Sequence, residues 1–99
     1  MFAWDEFNIA HIADHNVEPV EAEEAATYKP VALSMTTRNG EERFVQIGET
    51  YSGRILLVVT THRDGMVRVI TAHDVDLSKR KSYALRRDVQ YGESEENTS

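Results

Sequence analysis

The segment from residue 31 to residue 74 alternates between β-branched apolar runs and short turns, and this pattern restricts the fold more than any other feature. "RILLVVTTH" (54–62) is apolar on both faces, which is typical of a central strand. "VRVITAH" (67–73) follows it after the dipeptide Asp64-Gly65, which favours a tight hairpin turn. The two runs are therefore predicted to pair as neighbouring antiparallel strands.

Two shorter runs precede this hairpin and are predicted to form strands as well. They are "VALSM" (31–35) and "RFVQIGE" (43–49), and Asn39-Gly40 lies in the loop between them. Because all the links are of hairpin length, the sequence predicts a four-stranded antiparallel meander.

Two helices are predicted before the first strand. Asp5 can cap a helix over about residues 6–14. Pro19 fits the first turn of a second helix, and Pro30 ends it. The apolar stripe of the first helix is expected to consist of Ile9, Ile12 and Ala13.

A third helix is predicted over about residues 77–90, capped by Asp76 or Ser78. The last residues, 91–99, are polar and acidic, and we expect a disordered tail there. Residues 1–90 then form one α+β domain, with two N-terminal helices, a four-stranded antiparallel meander and a C-terminal helix that cover one face of the sheet.

Charge is distributed unevenly along the chain, which carries a net charge of −6. Residues 1–53 hold ten acidic and three basic residues, whereas residues 54–87 hold eight basic and three acidic residues. This balance argues against nucleic-acid binding over the whole surface but permits one basic site. Because the chain has no cysteine, no membrane-length apolar run and no secretory signal pattern, we expect a cytoplasmic protein without membrane association.

The third predicted helix carries five of the eleven basic residues. On a helical wheel, one side collects Lys79, Arg80, Tyr83, Arg86 and Arg87. The opposite side collects Leu77, Ala84, Leu85 and Val89. We expect the helix to pack by its apolar side and to present the basic side to solvent, where arginines can bind phosphates and a tyrosine can stack on an unpaired base. An ordinary amphipathic helix whose tyrosine covers the edge of the core explains the same pattern.

Three histidines are candidates for chemistry. His73 ends the last predicted strand, where it is either a general acid or base or an ordinary surface residue. Arg68 precedes it on that strand and shares a site with it only if the strand twists or bulges. His11 and His15 have the spacing of a metal pair, but no third ligand is evident, so we expect neither a metal nor another cofactor.

Several of these pieces together resemble one known family. They are Trp4-Asp5, Asp14-His15-Asn16, Glu42-Arg43-Phe44, Arg68-Val69-Ile70-Thr71-Ala72-His73 and Arg80-Lys81-Ser82-Tyr83. In this order and spacing, from Phe2 to about Arg87, the chain resembles the BrnT toxins. That family has a RelE-like ribonuclease fold. Asp14 and His73 depart from the family pattern, which has a lysine and an arginine at these places.

The resemblance implies the toxin of a type II toxin–antitoxin pair, held in a complex by a ribbon-helix-helix antitoxin of BrnA type. Such toxins cut mRNA, free or on the ribosome, by attack of the 2′-hydroxyl on the adjacent phosphate, without a metal. Arg43, Arg68 and Arg80 would then bind phosphate. His73, His15 and Tyr83 would be the candidates for proton transfer, with Tyr83 also a candidate for base stacking. The two departures leave a second reading open, in which the chain is an inactive homologue that binds antitoxin or RNA.

Overall fold

The computed structural model describes residues 1–92 as three helices and four strands. In chain order they are α1 (Glu6–Ala13), α2 (Pro19–Thr27), β1 (Val31–Arg38), β2 (Glu41–Glu49), β3 (Ile55–Arg63), β4 (Met66–Asp74) and α3 (Leu77–Gln90). The predicted α+β class and the order of its elements are confirmed. Residues 93–99, most of the predicted tail, lie outside the described residues.

The four strands form one antiparallel sheet in the order β1-β2-β3-β4, so the predicted meander is confirmed. The strands are longer than predicted because two hairpins continue up to two-residue turns. Asn39 and Asp64 adopt φ values of 52° and 55°, and a glycine with positive φ follows each of them. This is the backbone that the Asn-Gly and Asp-Gly dipeptides favour.

Helices α1 and α2 cover one face of the sheet. Asp5 caps α1 as predicted, and its carboxylate accepts from the backbone N–H groups of Phe7 and Asn8. The predicted apolar stripe of α1 is only partly correct, because Ile12 is buried but Ile9 and Ala13 are exposed. The buried cluster beneath the two helices contains Ile12, Val17, Ala22, Ala25, Leu56, Val58, Val69 and Ala72.

Gly48 on β2 lets α2 approach the sheet closely. A Cβ atom at this position would lie 1.7 Å from the carbonyl oxygen of Ala25. Nearby, the Gln46 side chain donates a hydrogen bond to the carbonyl oxygen of Ala26 at 3.0 Å. These two contacts place the C-terminal part of α2 directly over β2.

Helix α3 covers the opposite face, which corrects the expectation that all helices lie on one side. Val58 belongs to the cluster beneath α1 and α2, whereas Leu57 packs against the cluster of Val31, Ile47 and Tyr83. Successive strand residues point to opposite faces, so the two clusters lie on the two sides of the sheet. The protein therefore has three layers.

The predicted orientation of α3 was wrong. Tyr83 is 2% exposed and lies against the sheet, whereas Leu77, Leu85 and Val89 are 58%, 70% and 85% exposed. The helix thus packs by the side that carries its tyrosine and leaves its small apolar side in solvent. Tyr91, assigned to the tail from the sequence, also packs here and donates a hydrogen bond to the carbonyl oxygen of Pro30.

The two edges of the sheet, β1 and β4, differ in whether another segment of the chain pairs with them. Residues Met1 and Ala3 form backbone hydrogen bonds with Val67 of β4, at 2.9 Å and 2.8 Å. Within residues 1–92 no segment pairs with the outer edge of β1. In the same range no helix has the length and apolar character to cross a membrane.

Candidate functional site

His15 and His73 lie side by side at one end of the molecule. The chain turns sharply after α1, with Asn16 at a φ of 59° and the N–H of Val17 bonded to the carbonyl oxygen of Ile12. This turn carries His15 to the end of β4, where its ring centroid lies 5.5 Å from that of His73. The centroid of the His11 ring lies 6.0 Å from that of His15. The fold thus brings together two predicted site residues that are distant in sequence.

One ring nitrogen of His73 is already engaged. Its Nδ1 lies 2.8 Å from the carbonyl oxygen of Asp74. A carbonyl oxygen can only accept, so Nδ1 carries the proton and donates. In the neutral ring Nε2 is then unprotonated, and it is the atom that can take a proton from a substrate hydroxyl.

Arg54 holds the backbone around these histidines. Its Nε and Nη2 donate to the two carboxylate oxygens of Asp74, each at 3.0 Å. Its Nη1 and Nη2 also donate to the carbonyl oxygens of Asn16 at 2.7 Å and His15 at 3.3 Å. The guanidinium therefore ties the turn after α1 to the end of β4.

The hydrogen bonds between Arg54 and Asp74 also shift the pKa values of these two groups. The hydrogen bonds from Arg54 hold the pKa of Asp74 below its usual value, and the charges of Arg54, His73 and Arg80 act in the same direction. The hydrogen bond from Asp74 raises the pKa of Arg54. Because the charge of Arg80 contributes to this effect, Arg80 lies near Asp74, the residue that follows His73.

Sequence reasoning missed Arg54. The one available signal was its position, a charged residue directly before the most apolar strand of the chain. Such residues are rarely buried unless they are paired. The sequence could not show that its partners would be Asp74, Glu21 and two backbone carbonyls.

Arg43 and Arg68 lie together at the other end of the sheet. Thr61 on β3 is the cross-strand partner of both residues, so they flank it on β2 and β4. Arg63 and Arg43 form ion pairs with Glu41, at 2.5 Å and 3.7 Å. We call these four charged residues, Glu41, Arg43, Arg63 and Arg68, the arginine corner.

The arginine corner is positively charged but partly neutralised from within. The hydrogen bond from Arg63 holds the pKa of Glu41 below its usual value, with further contributions from the charges of Arg43 and Arg68. Arg68 also forms an ion pair with Asp5 at 2.8 Å. The Nε of Arg43 is buried and has no hydrogen-bond partner among the described residues. With Asp5 included, the three arginines and two carboxylates leave the corner with a net charge of +1.

The structure separates the residues predicted on α3. The Tyr83 hydroxyl donates to the carbonyl oxygen of Lys29 at 3.0 Å and lies 3.3 Å from a carboxylate oxygen of Glu49. Burial, and then the charge of Glu49, raise the pKa of Tyr83. A nucleobase cannot stack on the Tyr83 ring, because the ring lies between α3 and the sheet. The expectation of an exposed tyrosine was therefore wrong.

The other basic residues of α3 divide into two groups. Arg87 forms an ion pair with Glu49 at 2.9 Å, and Arg86 donates to the carbonyl oxygen of Ala32 at 3.1 Å. Lys79 and Arg80, in the first turn, are exposed. Of the predicted RNA-binding residues, Lys79, Arg80 and Arg86 are exposed, Arg87 is partly buried and Tyr83 is buried.

In residues 1–92, no three His, Asp or Glu side chains converge in a way that could hold a metal ion. What the histidines offer instead is two imidazoles next to each other, with arginines nearby, at an exposed end of the fold.

Comparison with known proteins identifies the family to which the chain belongs. The profile of the BrnT ribonuclease toxins of type II toxin–antitoxin systems matches residues 4–94, nearly the whole chain. The chain belongs to the BrnT family. A search of curated proteins found no match. As a member of a toxin family of this type, the chain has an antitoxin as its partner.

The BrnT assignment agrees with the motifs that suggested it. His15, Arg43, Arg68 and Arg80 all belong to those motifs, and the structure distributes them between the histidine end and the arginine corner. His73, a departure from the family pattern, is the residue that meets His15. The motif residues therefore lie at two separate places, one with imidazoles and one with guanidinium groups.

Proposed function

We propose that this BrnT-family toxin cleaves mRNA, free or on the ribosome, by metal-independent attack of a 2′-hydroxyl on the adjacent phosphate. The observation that carries the proposal is the 5.5 Å separation of the His15 and His73 rings. Cleavage of this kind requires one group to remove the proton of the hydroxyl and another to protonate the leaving oxygen. In this proposal the two adjacent imidazoles supply these groups, and Arg80, whose charge acts on Asp74 beside His73, stabilises the charge that develops on the phosphate.

We assign the roles of the two histidines from the hydrogen bond of His73. The Nδ1 of His73 donates to the carbonyl oxygen of Asp74, which leaves Nε2 as the base that takes the 2′-hydroxyl proton. His15 then acts as the acid that donates a proton to the 5′-oxygen as the bond to phosphorus breaks. The products are a 2′,3′-cyclic phosphate and a free 5′-hydroxyl.

The arginine corner holds a neighbouring part of the RNA in this proposal. Arg68 and His73 are five residues apart on β4, which corresponds to about 16 Å along a strand. RNA bound over β4 thus reaches both places with phosphates a few nucleotides apart. Arg43 and Arg68 supply contacts that position the strand without reading its sequence.

The remaining features of the proposal come from the family resemblance. The fold is RelE-like, the partner is a ribbon-helix-helix antitoxin of BrnA type, and the toxin acts in the cytoplasm. Release from the antitoxin allows cleavage, which inhibits translation and growth.

One observation favours a second candidate function, an inactive homologue that binds RNA or antitoxin. Arg43 and Arg68, the two arginines of the corner that the family motifs contain, are both engaged in ion pairs. If these pairs persist when RNA is present, the corner holds RNA weakly and the histidines lack a well-positioned substrate.

The deciding experiment uses an RNA oligonucleotide and the same oligonucleotide with a 2′-deoxy nucleotide at the cleaved position. We expect the purified toxin to cut only the first, in the presence of EDTA, and to leave a 2′,3′-cyclic phosphate. Cleavage of the deoxy substrate, or activity that requires an added metal, would contradict the mechanism. Binding of the RNA without cleavage would identify the second candidate.

A further inference from the structure

The outer edge of β1 is an unprotected site for another strand. Seven of the eight residues of β1 are exposed, and no segment within residues 1–92 pairs with this edge. Exposed edges are usually blocked by lysine, proline or a covering segment. The sequence of β1, "VALSMTTR", has neither lysine nor proline, and only a bulge at Leu33 and the terminal Arg38 interrupt it.

Apolar space lies beside this edge on both faces of the sheet. On the α2 face, Met35, Phe44 and His62 line an open groove of about 530 Å³. On the α3 face, Leu33 and Tyr83 line a cavity of about 80 Å³. A strand added alongside β1 would direct alternate side chains to the two faces, so it could place apolar residues in both spaces.

The charges beside the edge on the α3 face are basic, whereas Glu41 and Glu42 of β2 lie opposite Arg38 and Thr37. Lys79 and Arg86 line the cavity on the α3 face, and Arg38 ends the strand. The guanidinium of Arg86 already bonds to the carbonyl oxygen of Ala32 at the start of the edge. The open part of the edge therefore runs from Ser34 to Arg38, and an incoming strand with carboxylates would complement it.

A second copy of the chain fits this edge poorly. In an antiparallel pair of β1 strands centred on Met35, Arg38 of one copy would lie beside the bulged segment of the other, next to Ala32. Arg86 is bonded to the carbonyl oxygen of Ala32, so two guanidinium groups would be brought together at each end of the pair. Like charges placed directly opposite each other destabilise a strand pair.

We propose that an extended segment of the antitoxin, carrying apolar residues at alternate positions and carboxylates between them, adds to β1 as a fifth strand. The segment forms backbone hydrogen bonds with Ser34–Arg38 and places one apolar side chain over Met35 and another beside Leu33. This inference rests on the antitoxin partner that the family supplies and not on the cleavage chemistry.

The test uses the toxin and the antitoxin encoded beside it, with affinity measured by calorimetry. Met35→Glu puts a negative charge in the groove, and Val20→Glu makes the same change at an exposed valine of α2, 54% exposed against 58% for Met35. We expect Met35→Glu to weaken binding by about tenfold or more and Val20→Glu to change it by less than about twofold. Thermal melts verify that both variants fold like the parent.

Amide hydrogen exchange tests the backbone contacts directly. We expect exchange of the amides within residues 34–38 to slow by about tenfold or more in the complex, because a new strand covers this edge. Unchanged exchange there, or protection confined to the exposed side of α3, would overturn the proposal. So would a dimeric free toxin that Met35→Glu converts to a monomer without weakening its affinity for the antitoxin.

These outcomes are separate from those for cleavage. The RNA assay is made without antitoxin, and Met35 has no place in the histidine end or the arginine corner. If the parent toxin fails to cut RNA but binds the antitoxin through β1, the proposed chemistry fails and the docking site remains. If it cuts RNA and the β1 amides stay unprotected in the complex, the docking site fails and the proposed chemistry remains.

Discussion

Arg54 and Asp74 form an ion pair with two hydrogen bonds, and the same guanidinium donates to the carbonyl oxygens of His15 and Asn16 in the turn after α1. The geometry of the histidine pair therefore depends on a residue that does not itself transfer a proton. His15 belongs to a turn and His73 to the end of a strand, and Arg54 is the side chain that joins them.

Replacement of Arg54 by lysine tests this positioning role. Lysine keeps the charge but lacks the planar fork that bonds to Asp74 and two carbonyl oxygens at once. We expect Arg54→Lys to lower the free energy of unfolding by about 1.5–3 kcal/mol, the range for hydrogen bonds to charged groups. We also expect a lower kcat with little change in RNA affinity. Arg38→Lys, at the end of β1, is the matched control, and equal kcat values for the two variants would exclude a positioning role.

Removal of either imidazole should affect cleavage more than binding. We expect His15→Asn and His73→Asn each to reduce the cleavage rate by roughly 10²–10⁴, the usual contribution of a general acid or base. Single-turnover kinetics at saturating toxin measures this rate, and an RNA titration measures affinity. His62→Asn, a histidine whose ring lies against Phe44 far from the pair, is the control. Full activity in both variants would place the chemistry elsewhere.

Tyr83 should matter for stability and not for RNA. We expect Tyr83→Phe to cost about 1 kcal/mol, because the Lys29 carbonyl and Glu49 lose a buried donor. RNA affinity and cleavage should stay the same. Urea denaturation and the RNA titration together check this, and a large loss of RNA binding with unchanged stability would restore the exposed, base-stacking tyrosine.

The ionisation of Tyr83 gives an independent measurement. Its pKa is raised above the ordinary value of 10.0 by burial and by Glu49. Ultraviolet titration of the folded protein, which has four tyrosines, should therefore leave one of them protonated after the others have ionised. In Tyr83→Phe this late step should disappear.

The toxin should lose stability as the solution is acidified below about pH 4. Hydrogen bonds from backbone N–H groups and Arg68 lower the pKa of Asp5, that from Arg63 lowers the pKa of Glu41, and those from Arg54 lower the pKa of Asp74. The ordinary values are 3.8 for aspartate and 4.5 for glutamate. Each lowered pKa stabilises the folded state above the ordinary value, and that stabilisation is lost as the pH falls toward the folded value.

Melting temperatures between pH 6 and pH 3 measure this effect. Glu41→Gln should make the curve flatter, because one of the three carboxylates no longer titrates. Glu6→Gln, an exposed residue of α1, is the matched control and should leave the slope unchanged. A slope that is identical in the parent and in Glu41→Gln would show that this carboxylate does not contribute.

The helix orientation shows where sequence reasoning reached its limit. The wheel of α3 correctly separates the side of Tyr83 and the arginines from the side of Leu77 and Leu85. Hydrophobicity alone then selected the wrong side for the interface. Tyr83 has the largest volume of the fully buried side chains in the described residues. The aliphatic parts of Arg86 and Arg87 extend along the interface, and their guanidinium groups donate hydrogen bonds to Ala32 and Glu49.

The strands, turns and caps were determined by the sequence itself, because they depend on neighbours in the chain. Asn39-Gly40 and Asp64-Gly65 specify hairpin turns by their backbone preferences, and Asp5 and Asp76 cap helices through N–H groups two or three residues away. Only the tertiary structure decided that His15 would meet His73, that Arg54 would hold them, and that Tyr83 would be buried. Those relations depend on how long side chains share a limited set of partners once the elements pack, and neither periodicity nor spacing along the chain contains that information.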